Sequence, residues 1–254
     1  MGFSQSTTDH SLFLQFKGSA MMAILVYVDD VIVASSDSNA IQPFISSLDK
    51  CFHLKDLGPL RYFLGVEVAR SSKGIFISQR KYILDILQDT GLSGCKPQNT
   101  PMESNLKLSK HDGDLLEDPT SYRRLIGRLI YLSFTRPDLS FAVNRLSQFL
   151  STPRVPHLHA AHRILAYLKH TIGQGIFFAT DSTLHLKVFS DSDWASCPDT
   201  RRSVSGFCVF LVILLSPGSP RNNPQSQGLR LKQNTALCNS LCWFLLSAAI
   251  LLSR

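Results

Sequence analysis

The segment "ILVYVDDVIVASS", residues 24–36, places two adjacent carboxylates, Asp29 and Asp30, between two runs of β-branched and aliphatic residues. Runs of that composition form strands. A hairpin selected for its turn alone favours Asn-Gly or Asp-Gly at the centre, so a pair of like charges there needs another reason. Two carboxylates held side by side repel each other unless water screens them or a cation sits between them. Hard divalent ions such as Mg²⁺ bind through one or two carboxylates together with substrate phosphates. The segment therefore reads either as a solvated hairpin tip or as part of a two-metal site for phosphoryl transfer.

The flanking sequence supplies a sheet for that hairpin. Residues 12–16 and 22–34 have the content of strands, with Lys17, Gly18 and Ser19 as a turn between them. In residues 38–52, Ile41, Phe44, Ile45 and Leu48 recur at helical spacing behind a cap at Asp37 or Ser38. Two further strands are predicted at 61–70 and 74–79, joined by the polar turn Ser71, Ser72 and Lys73. Strand, turn, strand, helix, then hairpin is an α+β pattern.

From Lys81 the periodicity becomes helical. "KYILDILQDTGL" stops at Gly91, and a polar linker with Pro97, Pro101 and Pro119 follows. Then "YRRLIGRLIYLSFTR", "DLSFAVNRLSQFLSTP" and "HLHAAHRILAYLKHTIG" carry apolar residues three and four apart, bounded by Pro or Gly. Their Arg123, Arg124, Arg128, Arg145, Arg163 and Lys169 are read either as a basic face or as a solvated helix surface. Strands return from Leu184 in "LHLKVFSDSDWAS" and "SVSGFCVFLVILL", and after Leu215 no periodicity remains.

With 44% apolar and 18% charged residues in 254, the chain has the composition of a globular protein. A formal charge of +7 permits a polyanionic partner. Six cysteines occur without a CxxC pair, which argues against a zinc site and for reduced intracellular thiols. The start has no basic region followed by an apolar core, so no signal peptide is expected. The longest apolar run, residues 241–252, falls short of the roughly 20 residues that span a bilayer, so no membrane partner is expected.

Tyr27-Val28-Asp29-Asp30 between strands resembles the Y-x-D-D box of reverse transcriptases, and "LVYVDDVIVA" resembles its copia-type retrotransposon form. "FHLKDLGPLRYFLGVEV" (52–68), "ISQRKYILDIL" (77–87), "YRRLIGRLIYLSFTRPDLSFAVNRLSQFLSTP" (122–153) and "VFSDSDWASCPDTRRSVSGFCVFL" (188–211) are similar to the same Pol polyproteins in order and spacing. The resemblance covers residues 2–211. It implies RNA-templated DNA synthesis with Mg²⁺, an RNA template and RNA/DNA duplex as partners, and an intracellular, cytoplasmic or particle-associated setting.

Residue by residue, the resemblance implies that Asp29 and Asp30 bind metal, with Asp29 holding both ions. Tyr27 belongs to the same box and to the nucleic-acid side of the site. Lys55 falls near the incoming triphosphate, where it would neutralise charge or protonate the leaving pyrophosphate; the other reading is a surface lysine opposite Asp56. The hairpin 61–79 resembles the primer grip, with Tyr62, Phe63 and Gly65 as its contacts. Asp191 matches the first metal carboxylate of RNase H, while Asp193 and Trp194 are structural members of that motif. The fold implied is α+β: the C-terminal part of a polymerase palm (1–80), a helical thumb or connection (81–180) and the first strands of an incomplete RNase H-like sheet (184–211).

Two departures from the family pattern set the expected activity. The family's third palm carboxylate lies on a strand well upstream of Y-x-D-D, and the sole acid before Tyr27 here is Asp9, in a string that matches elsewhere. A two-metal site with half its ligands is crippled. After Leu211 the family continues Gly-Asp-Ser-Leu-Ile-Ser-Trp-Lys-Ser-Lys-Lys-Gln and, later, Glu-Ala-Glu-Tyr, whereas this chain reads "VILLSPGSPRNNPQSQGLRLKQNTAL". Back-translated with one extra G before Val212, that stretch can be given codons that read as the family string in the other frame. Residues 212–254 are thus expected to be an out-of-frame tail. Three readings follow: an enzyme fragment inactive alone, a non-catalytic nucleic-acid-binding remnant, or a decayed open reading frame.

Overall fold

The computed structural model describes residues 2–179, 185–192 and 205–212, with residues 194, 197–199, 201 and 203 between the last two. The expected tail beyond Val212, including the continuation of its strand to Leu215, lies outside the described residues.

The first sheet has four antiparallel strands in chain order: β1 (Ser4–Gln5), β2 (Leu12–Lys17), β3 (Ala20–Tyr27) and β4 (Asp30–Ser35). Its register sets Leu12 opposite Leu25 and Leu25 opposite Ile32, with Leu14, Ala23 and Ala34 aligned two residues along. Strand side chains alternate between faces, so these six share one face, and they bury it against Leu60, Phe63 and Leu64. After β4, Asp37 accepts the Asn39 N–H (3.0 Å) and starts a helical turn that runs into α1 (Ile41–Phe52). Helix α1 packs along β4, and its Phe44 ring meets Phe3 at 5.4 Å.

The stretch predicted as one strand, 61–70, is instead a tight hairpin. Strand β5 (Tyr62–Phe63) turns at Leu64 and Gly65 into β6 (Val66–Ser71), pairing Phe63 with Val66 and Tyr62 with Glu67. Both turn residues have positive φ, +47° and +78°, as a two-residue type I′ turn requires. The apolar run reads straight through the turn because Leu64 is not one of the residues that normally marks such a bend. Strand β6 then pairs with β7 (Gly74–Ser78) through the anticipated Ser71–Gly74 turn.

Four helices form the largest core: α2 (Arg80–Asp89), α3 (Pro119–Leu132), α4 (Ser140–Ser147) and α5 (Val155–His170). Helix α2 closes with the Leu92 N–H on the Leu87 carbonyl (2.9 Å) just past Gly91. Helix α3 opens with Asp118 accepting the Thr120 N–H (2.9 Å) and Pro119 in its first turn. Ile83, Ile126, Leu129, Leu146 and Ile164 are among the fully buried residues of this core, and each such side chain contributes about 1.5–3 kcal/mol by leaving water.

The polar linker 90–118 is strapped onto α5 and the turn before it. Gln98 donates its N–H to the Ala166 carbonyl (3.1 Å), and Lys169 donates to the Cys95 carbonyl (2.8 Å). Arg154 reaches the carbonyls of Lys110 and Gly113, both at 2.6 Å. Buried His157 accepts the Arg154 N–H on Nδ1 and donates from Nε2 to the Ser109 carbonyl (3.0 and 3.1 Å). Burial, the larger influence, lowers its pKa, which suits the neutral ring that this bonding needs.

One strand carries no mark in the local sequence pattern. Strand β8 (Ile176–Ala179) returns after α5 to pair with β7, completing a second four-stranded sheet in the order β5-β6-β7-β8. Finally β9 (His185–Ser192) and β10 (Ser205–Val212) pair antiparallel, as the pattern from Leu184 predicts. The protein is a mixed α+β fold.

Candidate nucleotidyl-transfer site

Strands β3 and β4 join through a two-residue turn, since Tyr27 pairs with Asp30 and only Val28 and Asp29 lie between. Asp29 is therefore in the turn, while Asp30 is the first residue of β4. Alternation from Leu25 and Ile32 places Tyr27 and Asp30 on the sheet face that packs against Phe63. Val28 has φ +50° and is 80% exposed. A β-branched residue in that region is strained by roughly 1–3 kcal/mol, and such strain collects at functional sites. Asp29 and Asp30 are both exposed, so the two carboxylates stand at the tip with solvent around them.

Two hard oxygen donors of this kind fit one Mg²⁺ ion that is completed by water and phosphate oxygens. Among the described residues, no group of three His, Cys, Asp or Glu side chains gathers to hold a metal.

The β5–β6 hairpin packs Phe63 and Leu64 on the sheet face that carries Leu25 and Ile32. Phe63 is 5% exposed and belongs to the core shared with β3 and β4, whereas Tyr62 is 54% exposed. Residues 1–104, which contain both hairpins, match the family described as reverse transcriptase (RNA-dependent DNA polymerase). The chain is 45% identical over 211 residues to the retrovirus-related Pol polyprotein from transposon RE1 of Arabidopsis thaliana, covering 83% of this chain and 14% of that protein. It is 39% identical over 203 residues to an uncharacterized mitochondrial protein of Arabidopsis thaliana, covering 80% of this chain and 84% of that one. It is 32% identical over 214 residues to a putative transposon Ty5-1 protein of Saccharomyces cerevisiae, covering 84% and 70% respectively. The chain belongs to the copia-type retrotransposon Pol family. It spans about 14% of the Pol polyprotein it matches, and no solved structure matches it.

Within this Pol-family chain the remaining candidate residues are dispersed. Lys55 is exposed in the loop after α1, where the neighbouring Asp56 carboxylate accepts the Gly58 N–H (2.7 Å). Gly65 sits in the β5–β6 turn beside Tyr131. Phe63, expected to contact nucleic acid, is 5% exposed and belongs to the core shared with β3 and β4. Asp191 is in β9 opposite Gly206, and its side chain lies outside the described residues, as does Asp193. Trp194 is 94% exposed.

The helix arginines, read as either a basic face or a solvated surface, are largely spent on internal ties. Arg123 donates to the Leu150 and Ser151 carbonyls (2.8 and 3.2 Å), Arg128 pairs with Asp89 (2.7 Å) and Arg163 pairs with Glu103 (3.0 Å). Arg145 is buried, and Arg124 is exposed. Charge alone gave no signal of this, because a backbone carbonyl acceptor leaves no mark in composition. No described helix is long and apolar enough to cross a membrane.

Proposed function

We propose that residues 1–211 are the C-terminal part of a copia-type reverse transcriptase palm, a helical thumb or connection and the opening strands of RNase H, and that these 254 residues alone do not synthesise DNA. The observation that carries this reading is the strained Val28–Asp29 turn, which sets two exposed carboxylates at a strand tip inside the reverse transcriptase match. In the proposal, Asp29 and Asp30 hold divalent metal, Lys55 faces the triphosphate, and the exposed Tyr62 with the Gly65 backbone receives a primer 3′ end. Asp191 supplies the first RNase H carboxylate. When bound, Mg²⁺ would neutralise charge on the phosphates and activate the attacking hydroxyl. Asp29 and Asp30 would orient that ion, and among the described residues no third His, Cys, Asp or Glu gathers with them.

Residues 212–254 are, in the same proposal, an out-of-frame tail. Sequencing the locus around codon 211 checks it: related copies should carry one additional base, and uniform absence of that base would count against a recent deletion.

Primer extension on an RNA template with Mg²⁺ tests the catalytic part. No template-directed incorporation is expected from the 254-residue chain, and Asp29→Asn should change nothing. Incorporation that Asp29→Asn abolishes would overturn the proposal, because some other residue would then complete the site.

A further inference from the structure

We infer that Tyr131 is a positioning residue that sets the β5–β6 turn to receive a polynucleotide 3′ end. The inference rests on the reading of that turn as the 3′-end element. Leu64 adopts φ +47°, a conformation unfavourable for a side chain with a Cβ, and Gly65 follows at +78°. The Tyr131 hydroxyl, on α3, donates a hydrogen bond to the Leu64 carbonyl. A Cβ built on Gly65 would lie 3.9 Å from both the Tyr131 ring and its hydroxyl, so the ring lies against the turn itself. One side chain thus supports the bend by contact and fixes its carbonyl by a hydrogen bond.

Tyr131 is itself held. Its ring meets Tyr82 of α2 edge-on, with centroids 5.4 Å apart and planes at 81°. The Arg128 guanidinium lies 5.5 Å from the centre of the Tyr82 ring and pairs with Asp89 at 2.7 Å. On the other side of the turn, Phe63 is anchored in the core under β3 and β4. Further along β6, Glu67 accepts the Lys81 N–H that opens α2 (2.7 Å). The turn is fixed from the helices and from the first sheet. Tyr62 remains as its exposed aromatic surface, on which a terminal base can stack.

The chemistry therefore assigns Tyr131 no contact with nucleic acid. Its hydroxyl keeps the Leu64–Gly65 bend, and the bend keeps Tyr62 aimed. Loss of the hydroxyl frees a strained turn to relax, which should be felt at a recessed 3′ end and nowhere along a continuous duplex.

The test uses the full 254-residue chain with two probes: a DNA primer ending in 2-aminopurine, recessed on an RNA template, and a blunt RNA/DNA duplex of equal length. Tyr131→Phe should weaken recessed-end binding about fivefold, reduce the 2-aminopurine response, and leave blunt-duplex binding within about twofold. Amide exchange across residues 62–67 should quicken, with the helical circular dichroism unchanged. Equal weakening on both probes would show a general structural role and overturn the inference. Unchanged recessed-end binding in Tyr131→Phe, with clear loss in Tyr62→Ala, would overturn the inference alone. No recessed-end preference in the unmodified chain, or none lost in Tyr62→Ala, would remove the 3′-end reading and the inference with it.

Discussion

Replacing Arg136 with alanine is expected to lower the thermal midpoint by about 4–16 °C. Arg136 is 1% exposed, between α3 and α4. Its guanidinium meets the Asp138 carboxylate with two parallel bonds, Nε to Oδ1 at 3.0 Å and a terminal nitrogen to Oδ2 at 2.8 Å. The same group donates to the Thr171 carbonyl (3.0 Å) and hydroxyl (2.7 Å) at the end of α5, and it lies 5.5 Å from the centre of the Tyr167 ring. The Tyr167 hydroxyl closes the network on Asp138 at 2.9 Å.

Arg136→Ala removes the buried hydrogen bonds to Thr171 and the packing of a fully buried side chain, about 2–4 kcal/mol, whereas the Asp138 side chain, 36% exposed, can turn to water. In a domain of this size each kcal/mol moves the midpoint by about 2–4 °C. Arg136→Lys should recover less than half of the loss, since a lysine ammonium cannot reproduce the planar fork that serves Asp138 and Thr171 together. A shift below about 2 °C for Arg136→Ala would mean that the α3–α4 turn and the end of α5 are held by packing alone.

The same residue shows where the sequence is legible and where it is not. Asp29 and Asp30 can be read because adjacency itself is the signal: two like charges between apolar strands have few physical explanations. Helix ends can be read for a similar reason, since Pro119 and Gly91 act within one turn of where they stand. Arg136, Arg154 and Tyr131 act on carbonyls that belong to other segments: Thr171, Gly113 and Leu64. A residue type announces that it can donate, never to what. The run "RYFLGVEVAR" misleads in the opposite way, because its strand character is real on both sides of a bend that Leu64 does not advertise. Partners for Asp29 in the proposed metal site are illegible for a third reason, since ligands contributed by separate strands leave no local periodicity.

Strand β8 is the other element hidden from local pattern, and Gly175→Ala is expected to detach it. "GIFFAT" is too short to declare itself, and its stabilising neighbours lie far back in the chain. Ile176 pairs with Ile77 and is buried with Val66 and Val68, which ties the end of the helical segment to the sheet containing the β5–β6 turn. A Cβ added at Gly175 would fall 2.1 Å from the Ile77 carbonyl oxygen and 2.9 Å from the Phe76 ring. The oxygen is part of the β7 backbone and cannot rotate away, so β8 must move outward and give up its ladder. Overpacking that forces backbone displacement costs about 3 kcal/mol, or about 6–12 °C in a domain of this size. Gly173→Ala is the matched control, because a Cβ there meets nothing within 4 Å. Amide exchange should quicken in β7 and β8 for Gly175→Ala, while β3 and β4 keep their protection, since their partners are β2 and each other. Equal stability of the two alanine variants, with β7 and β8 equally protected, would show that the strand tolerates displacement and that the second sheet does not depend on the return of the chain after α5.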